Sequence, residues 1–362
     1  MKRVILVAAV VAASVCFVSC KDTQITMEVT SSSEDTYASD AETAAAESAA
    51  AESEVTTPSA PAEPVLEFSG DPQDIMNIGE DSYYEGENYV LFVAAGSVLT
   101  GDTPAKISEV MDSLEELYGL SYSYKGNVHE DDWRTRYFSG SFTGINRDMS
   151  KASILIIPDP HDDSIEWTYG NEVLLHDTTL SVEHGYYDGL YHELAHLLRL
   201  RQSNMLGSVM EEGVALYAQD RLSRENDYPN WSMLQYVTYG GYVSMYDDSV
   251  IYDDPEGEFI RASLAERSGA QTDYQYGFRF VMFLMENYGT DIISKISVKA
   301  REYDLSSLES VSPDEKDMRT VVEIIKSCTE DDVFAKFVKW LPSGWEAYCR
   351  EYVKYIERFS DM

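Results

Sequence analysis

The sequence predicts an α+β fold, with an N-terminal mixed β-sheet followed by a mostly α-helical C-terminal part. Two observations carry this. Runs of β-branched, aromatic and aliphatic residues stand at Tyr89–Ala95, at Ser153–Ile157 and from Glu172 to Leu175, all before residue 180. From about residue 186 onward, apolar residues recur at helical spacing almost to the end of the chain.

The chain opens on an address. Lys2 and Arg3 precede Val4–Val18, an almost unbroken apolar run that suits a signal-peptide core and is short for a spanning helix. It ends at Phe17-Val18-Ser19-Cys20, which resembles a bacterial lipoprotein signal. That resemblance implies lipidation of Cys20 and an extracytoplasmic protein anchored to a bacterial cell membrane. An ordinary cleaved signal or an uncleaved anchor is the alternative, and both also place the chain outside the cytoplasm.

Residues 21–64 read as a tether. They are rich in Ala, Ser, Thr and acidic residues, with Pro58, Pro61 and Pro64 at the end. Few apolar anchors and no sustained periodicity leave such a stretch unable to bury enough surface to fold. Its like charges favour an extended spacer.

Charge excludes partners. The chain carries 64 acidic against 27 basic residues, a net of −37. Nucleic-acid binding requires clustered Lys and Arg, so it is excluded as a function class, as is adhesion to anionic lipid through a basic patch. Cys328 and Cys349 are the two cysteines outside the leader and its boundary. In an oxidising compartment they read either as a disulfide or as two buried thiols.

The folded part is expected over 65–255, holding the sheet and the active-site helix, and 256–362, a helical subdomain that completes a cleft. Tyr89–Ala95 stops at Gly96 and reads as a buried strand. Thr103-Pro104 opens a helix, where the missing proline N–H costs nothing. Ile107, Val110, Met111, Leu114 and Leu117 follow at helical spacing, and Gly119 ends it. Ser153–Ile157 is a strand closed by Pro158, and a third strand begins near Glu172. The aromatic run 236–246, with Gly240 and Gly241, reads as an irregular packed segment or a cleft wall. Val321, Ile324 and Ile325, then Val333, Phe334 and Phe337, then Trp345, Tyr348, Tyr352, Tyr355 and Ile356 form helical stripes that read as core.

The chemistry lies in residues 192–196, His-Glu-Leu-Ala-His. Residues four apart share a helix face, so His192 and His196 aim two imidazoles at one point, the arrangement a zinc ion needs. Glu193 lies one step round, within reach of a water at the metal. Leu190, Leu194, Leu197 and Leu198 make the helix a buried one, with charge returning at Arg199. Catalytic zinc usually takes a third protein ligand. A second helix is expected from Ser208 to Arg221, and spacing alone leaves Glu211 and Glu212 as competing choices.

His-Glu-x-x-His followed by Glu-Gly-x-Ala-x-Tyr, here Glu212 to Tyr217, resembles the gluzincin metallopeptidases. Among them it is similar to the aminopeptidase-N-like branch and to bacterial peptidase MA-like domains. The resemblance implies a zincin-like fold and one zinc ion per chain. It selects Glu212, the residue directly before Gly213, as third ligand, with Glu193 as general base. Tyr274-Gln275-Tyr276-Gly277-Phe278, then Phe283-Leu284 and Gly289, resembles a second segment of the same family. It implies that Tyr274 donates a hydrogen bond to the oxyanion, with Tyr276 as the competing tyrosine. Leu216 stands where the thermolysin branch carries Asp, and the aminopeptidase marker Gly-x-Met-Glu-Asn is absent. The expected function is therefore zinc-dependent hydrolysis of a peptide or protein substrate, by endo- or exopeptidase action. A zincin-fold surface lipoprotein that binds peptides without turnover is the alternative. The strand before the zinc helix, within 171–180, is expected to be the sheet edge along which substrate lies. His129, His161 and His176 read as loop or surface residues, and His184 as a residue near the helix start.

Overall fold

The structure is a computed structural model that describes residues 65–126, 137, 138, 142, 144–159, 166–180, 188–230, 233, 256, 257, 261, 270–309 and 314–359. Cys20, the stretch 21–64, His129, His161, His184 and the run 236–246 lie outside the described residues. From Val65 onward the described chain belongs to one compact unit.

The fold is α+β. Strands β1 (Ile75–Asn77) and β4 (Val98–Thr100) pair as a small antiparallel ribbon. The main sheet has five strands in the order β2-β3-β5-β7-β6. These are β2 (Ser82–Glu85), β3 (Tyr89–Val93), β5 (Ala152–Ile157), β7 (Glu172–His176) and β6 (Trp167–Tyr169). β3, β5 and β7 run parallel, and β2 and β6 close the two sides antiparallel. The three parallel strands are buried almost end to end, which is why they read as unbroken apolar runs rather than as alternation.

One correction follows. β7 is an interior strand, because β6 pairs along its outer side, with Trp167 opposite Leu174, Thr168 opposite Val173 and Tyr169 opposite Glu172. The edge is β6, a three-residue strand too short to display a period. His176 also departs from its expected surface place. It is buried at the end of β7, and its backbone N–H donates to Glu166 Oε1 at 3.0 Å.

Seven helices are described. Helix α1 (Thr103–Tyr118) follows β4, with Pro104 in its first turn. Gly119 ends it in the left-handed conformation (φ 62°), its N–H donating to Glu115 O at 2.8 Å. Helices α2 (Asp188–Gln202), α3 (Ser208–Glu225), α4 (Ala270–Tyr288), α5 (Ile292–Ala300), α6 (Glu315–Cys328) and α7 (Val333–Ile356) complete the chain. The strand pleat divides the core. Leu91, Val93, Ile154, Ile156, Val173 and Leu175 face the helical layer, whereas Val90, Phe92, Leu155 and Leu174 meet Phe138 and Phe142 on the opposite face. Each such side chain stabilises the fold by about 1.5–3 kcal/mol on burial. The stripes of α6 and α7 are buried core except at Trp345 and Tyr348, which are half-buried against it, and α4 packs most extensively on α3 among the described elements. Cys328 and Cys349, on α6 and α7, are free thiols, not a disulfide, and both are half-buried rather than the fully buried pair of the other reading. Burial pushes the Cys349 thiol up to about 11.

Candidate metal centre

Helix α2 carries the two histidines. Leu190, Leu194, Ala195, Leu197 and Leu198 are fully buried, so the helix lies inside the protein with its opposite face set by core packing. Tyr122, in the turn after α1, donates its hydroxyl to Leu194 O at 2.7 Å in the middle of the motif. The turn between α2 and α3 is only residues 203–207. Gly207 adopts φ 91° immediately before α3, which turns the chain so that α3 folds back against α2.

Arg199 and Glu211 hold that turn. Arg199 Nε and Nη2 meet the Glu211 carboxylate at 2.9 and 2.6 Å. Arg199 Nη1 donates to Ser203 Oγ at 2.6 Å and Nη2 to Asn204 O at 2.7 Å, while Leu206 N donates to Glu211 Oε1 at 2.7 Å. Arg199 is therefore not the point where α2 returns to solvent. It is buried, as is Arg201, which donates to Tyr122 O at 2.6 Å and Ser150 O at 2.9 Å and also bonds Asn171 Oδ1. With both oxygens taken by Arg199 and the turn, Glu211 is a structural residue, and the choice left open by spacing falls to Glu212.

Glu212 Oε2 lies 3.4 Å from His192 Nε2 and 3.5 Å from His196 Nε2, and the two Nε2 atoms are 3.2 Å apart. Four ligands at about 2.0–2.1 Å around a tetrahedral zinc are separated by about 3.3 Å, so this triangle matches one face of that tetrahedron. A second observation agrees. Glu212 Oε2 is buried with no well-aligned hydrogen bond among the described residues, its polar neighbours being the two imidazole Nε2 atoms at 3.4 and 3.5 Å, so a cation there would complete its coordination. Electrostatics in the cluster are strong. Burial alone would push the Glu212 carboxyl up, but His196 and His192 outweigh it and hold the group far below the ordinary carboxylate range. Burial would lower His196, but the Glu212 carboxylate, with Glu193 and Glu211 beyond it, raises the imidazole to about 9. The donor set of two imidazoles and a carboxylate is one that zinc takes in catalytic sites. The residues present therefore fit the ion.

Glu193 is 8% exposed and turns toward the edge strand. Thr168 Oγ1 lies 2.6 Å from Glu193 Oε2 and 2.9 Å from Glu193 O. Tyr274, on α4, places its ring 6.0 Å from the His192 imidazole with planes 23° apart. Tyr276 lies two positions on, about 200° round the helix, and packs into the main core beside Arg279. The structure thus brings His192, His196, Glu212, Glu193 and Tyr274 together and separates Glu211 and Tyr276 from them.

Sequence reasoning missed Thr168, Arg199, Arg201 and Glu166. The two arginines had a usable signal, since both sit among leucines in a helix otherwise read as dry. Thr168 and Glu166 had none in the local pattern.

No family model and no curated protein matches the chain. Two solved structures from Bacillus anthracis str. Ames, a functionally unknown conserved protein and a mutant of one, resemble it at 14% and 12% identity with TM-scores of 0.41 and 0.42. In each comparison 75% of this chain is covered, and the chain spans about half of the matched structure, 51%.

Proposed function

We propose that the protein is a zinc metallopeptidase of gluzincin type, with a zincin-like fold, held to the outside of a bacterial membrane by lipid on Cys20. The observation that carries this is the His192–His196–Glu212 triangle, with edges of 3.2–3.5 Å, whose three corners are two imidazole nitrogens and a buried carboxylate oxygen. The mixed sheet with its antiparallel edge strand before the zinc helix supports the zincin-like reading.

His192, His196 and Glu212 would hold the ion. When bound, zinc supplies Lewis acidity toward the scissile carbonyl and toward water. Glu193 takes the proton of the attacking water and passes it to the leaving amine. Tyr274, stacked on His192, donates a hydrogen bond to the oxygen where negative charge develops. The leucines on the opposite face of α2 anchor the helix in the core and so fix where its two histidines point. The excess of acid over base keeps nucleic acid away, and no described helix is long and apolar enough to cross a membrane.

The test is zinc per chain and cleavage of a peptide library by the purified full chain and by Glu193→Gln. The expected result is about one zinc in both proteins and cleavage by the wild type alone. Zinc without cleavage by either sinks the peptidase reading, and absence of zinc sinks the metal centre as well. Cys20→Ser should move the protein out of the membrane fraction, and a variant that stays there overturns the anchor.

A further inference from the structure

We infer that Thr168 is a positioning residue for Glu193, an inference that rests on the peptidase reading above. The placement follows from the pleat of β6. Trp167 packs on the sheet face lined by Phe92, Leu155 and Leu174. Thr168, one residue on, therefore points to the helical face, opposite Val173, whose side chain belongs to the core on that side. There its hydroxyl meets α2 at Glu193, with the carboxylate Oε2 at 2.6 Å and the backbone carbonyl at 2.9 Å.

One hydroxyl has one proton and two acceptors within reach. Thr168 donates to Oε2 while Glu193 is a carboxylate, which fixes the acid at a single rotamer. With Oε2 held by Thr168, Oε1 is the oxygen left to take the proton from water and to give it to the leaving amine. Oε2 accepts from the Thr168 hydroxyl throughout, so the threonine neither gains nor loses a proton and the carboxyl group keeps one orientation. A rigid strand is a better platform for this than a loop. β-Branching suits threonine to that strand, and valine keeps the branching while removing the hydroxyl.

The experiment compares the full chain with Thr168→Val, Thr168→Ser and Thr168→Val/Glu193→Gln. Zinc content, kcat and KM are measured on a cleaved library peptide, and crystal structures of the zinc-loaded proteins are compared. A hydrogen bond to a charged group sets the scale, so Thr168→Val should lose kcat by about 10- to 100-fold. Zinc should stay near one per chain, and KM should change by less than about twofold. Thr168→Ser should recover kcat to within about threefold of wild type, because it restores the hydroxyl without the methyl. The double variant should be no slower than Glu193→Gln alone. In crystals of Thr168→Val the Glu193 carboxylate should leave its wild-type position. Wild-type kcat in Thr168→Val, equal damage from Val and Ser, a change confined to KM or to zinc content, or an unmoved carboxylate would each overturn the inference while leaving the peptidase reading intact. A wild-type protein that binds zinc and cleaves nothing overturns both, and that failure is seen without any Thr168 variant.

Discussion

Gly213 of α3 and Gly277 of α4 touch backbone to backbone. A Cβ on Gly213 would lie 2.3 Å from Gly277 O, and one on Gly277 would lie 2.2 Å from Val209 O and 2.8 Å from Gly213 N. Neither helix can carry a side chain at the crossing. The contact has a functional consequence, because Glu212 precedes Gly213 and Tyr274 lies one turn before Gly277. Close approach of the two backbones is what brings Tyr274 onto His192.

Substituting alanine at this crossing should therefore damage stability and the site together. Gly213→Ala or Gly277→Ala should destabilise by about 1–3 kcal/mol, the usual cost of forcing extra volume into a packed core. Both should also weaken zinc uptake. Gly79→Ala, where a Cβ would meet nothing within 4 Å, is the control and should stay within about 0.5 kcal/mol. Denaturant unfolding and zinc stoichiometry check this. Equal effects at all three positions would show that the crossing is not tight.

Adjacent glutamates should fail in different ways. Glu211 is buried against Arg199, and removing one partner of a buried pair leaves the other uncompensated. Glu211→Gln should cost about 3–5 kcal/mol of stability. Glu212→Gln removes a ligand from a cluster that carries no helix packing, so it should keep the fold and lose zinc. Thermal unfolding and metal analysis of the two variants separate these outcomes. A Glu211→Gln protein that is stable but zinc-free would reverse the assignment of the two residues.

Legibility in the sequence followed the range of the interaction. β3, β5 and β7 were readable because interior parallel strands are apolar on both faces. The helix of the candidate metal centre is readable because His192 and His196 lie four residues apart on one element. β6 is not legible, since three residues show no period, and the pattern alone puts the edge at β7. Arg199 reads locally as the polar end of a helix. Only Glu211, twelve residues later and across a turn, makes it a buried ion pair. The separation of Cys328 and Cys349 in sequence allowed a loop-closing bond, but each sits on its own helix and stays a thiol. Thr168 needed the register of β6 against β7 before its side chain could be sent toward Glu193.

Glu166 should give the protein a pH-dependent stability. It precedes β6 and lies against the Cα of Gly189 on α2, its Oε1 accepting from His176 N and bonding the Thr179 hydroxyl. Burial, with Glu193 and Asp159 adding to it, pushes its carboxyl up to about 7, against the opposing pull of those two hydrogen bonds. In the unfolded chain the group titrates near its ordinary value of about 4.3. A raised acid favours folding in its neutral form. Its contribution is therefore fully present below about pH 4.3 and is lost as pH rises to about 7. Glu166→Gln stays neutral throughout, so its stability relative to wild type should grow over that window. By pH 8 the difference should reach roughly 4 kcal/mol, at about 1.4 kcal/mol per pKa unit. Chemical denaturation of both proteins at pH 5 and pH 8 reads this directly. A stability difference that does not change with pH would remove Glu166 from the account.

Zinc itself should stabilise the fold, by an amount set by ligands already gathered. In the metal-free protein Glu212 Oε2 has the two imidazole Nε2 atoms as neighbours at 3.4 and 3.5 Å, and the ion would replace those long contacts with direct ligand bonds. Anything that binds the native state alone adds stability by mass action, about 2.7 kcal/mol at a hundred times its dissociation constant. For a domain of this size that is a rise in Tm of about 5–10 °C, taking about 2–4 °C per kcal/mol. Chelation should reverse it, and magnesium, which prefers oxygen ligands in an octahedron, should not replace it. The ligand variants His196→Ala and Glu212→Gln should lose the zinc-dependent shift. Glu193→Gln should keep it, because Glu193 supplies no corner of the ligand triangle and its Oε2 is held by Thr168. Thermal scans of all four proteins with chelator and with added zinc decide the matter. A shift that survives in His196→Ala and Glu212→Gln would place the bound metal elsewhere, and a shift lost in Glu193→Gln would make that glutamate a ligand rather than a base.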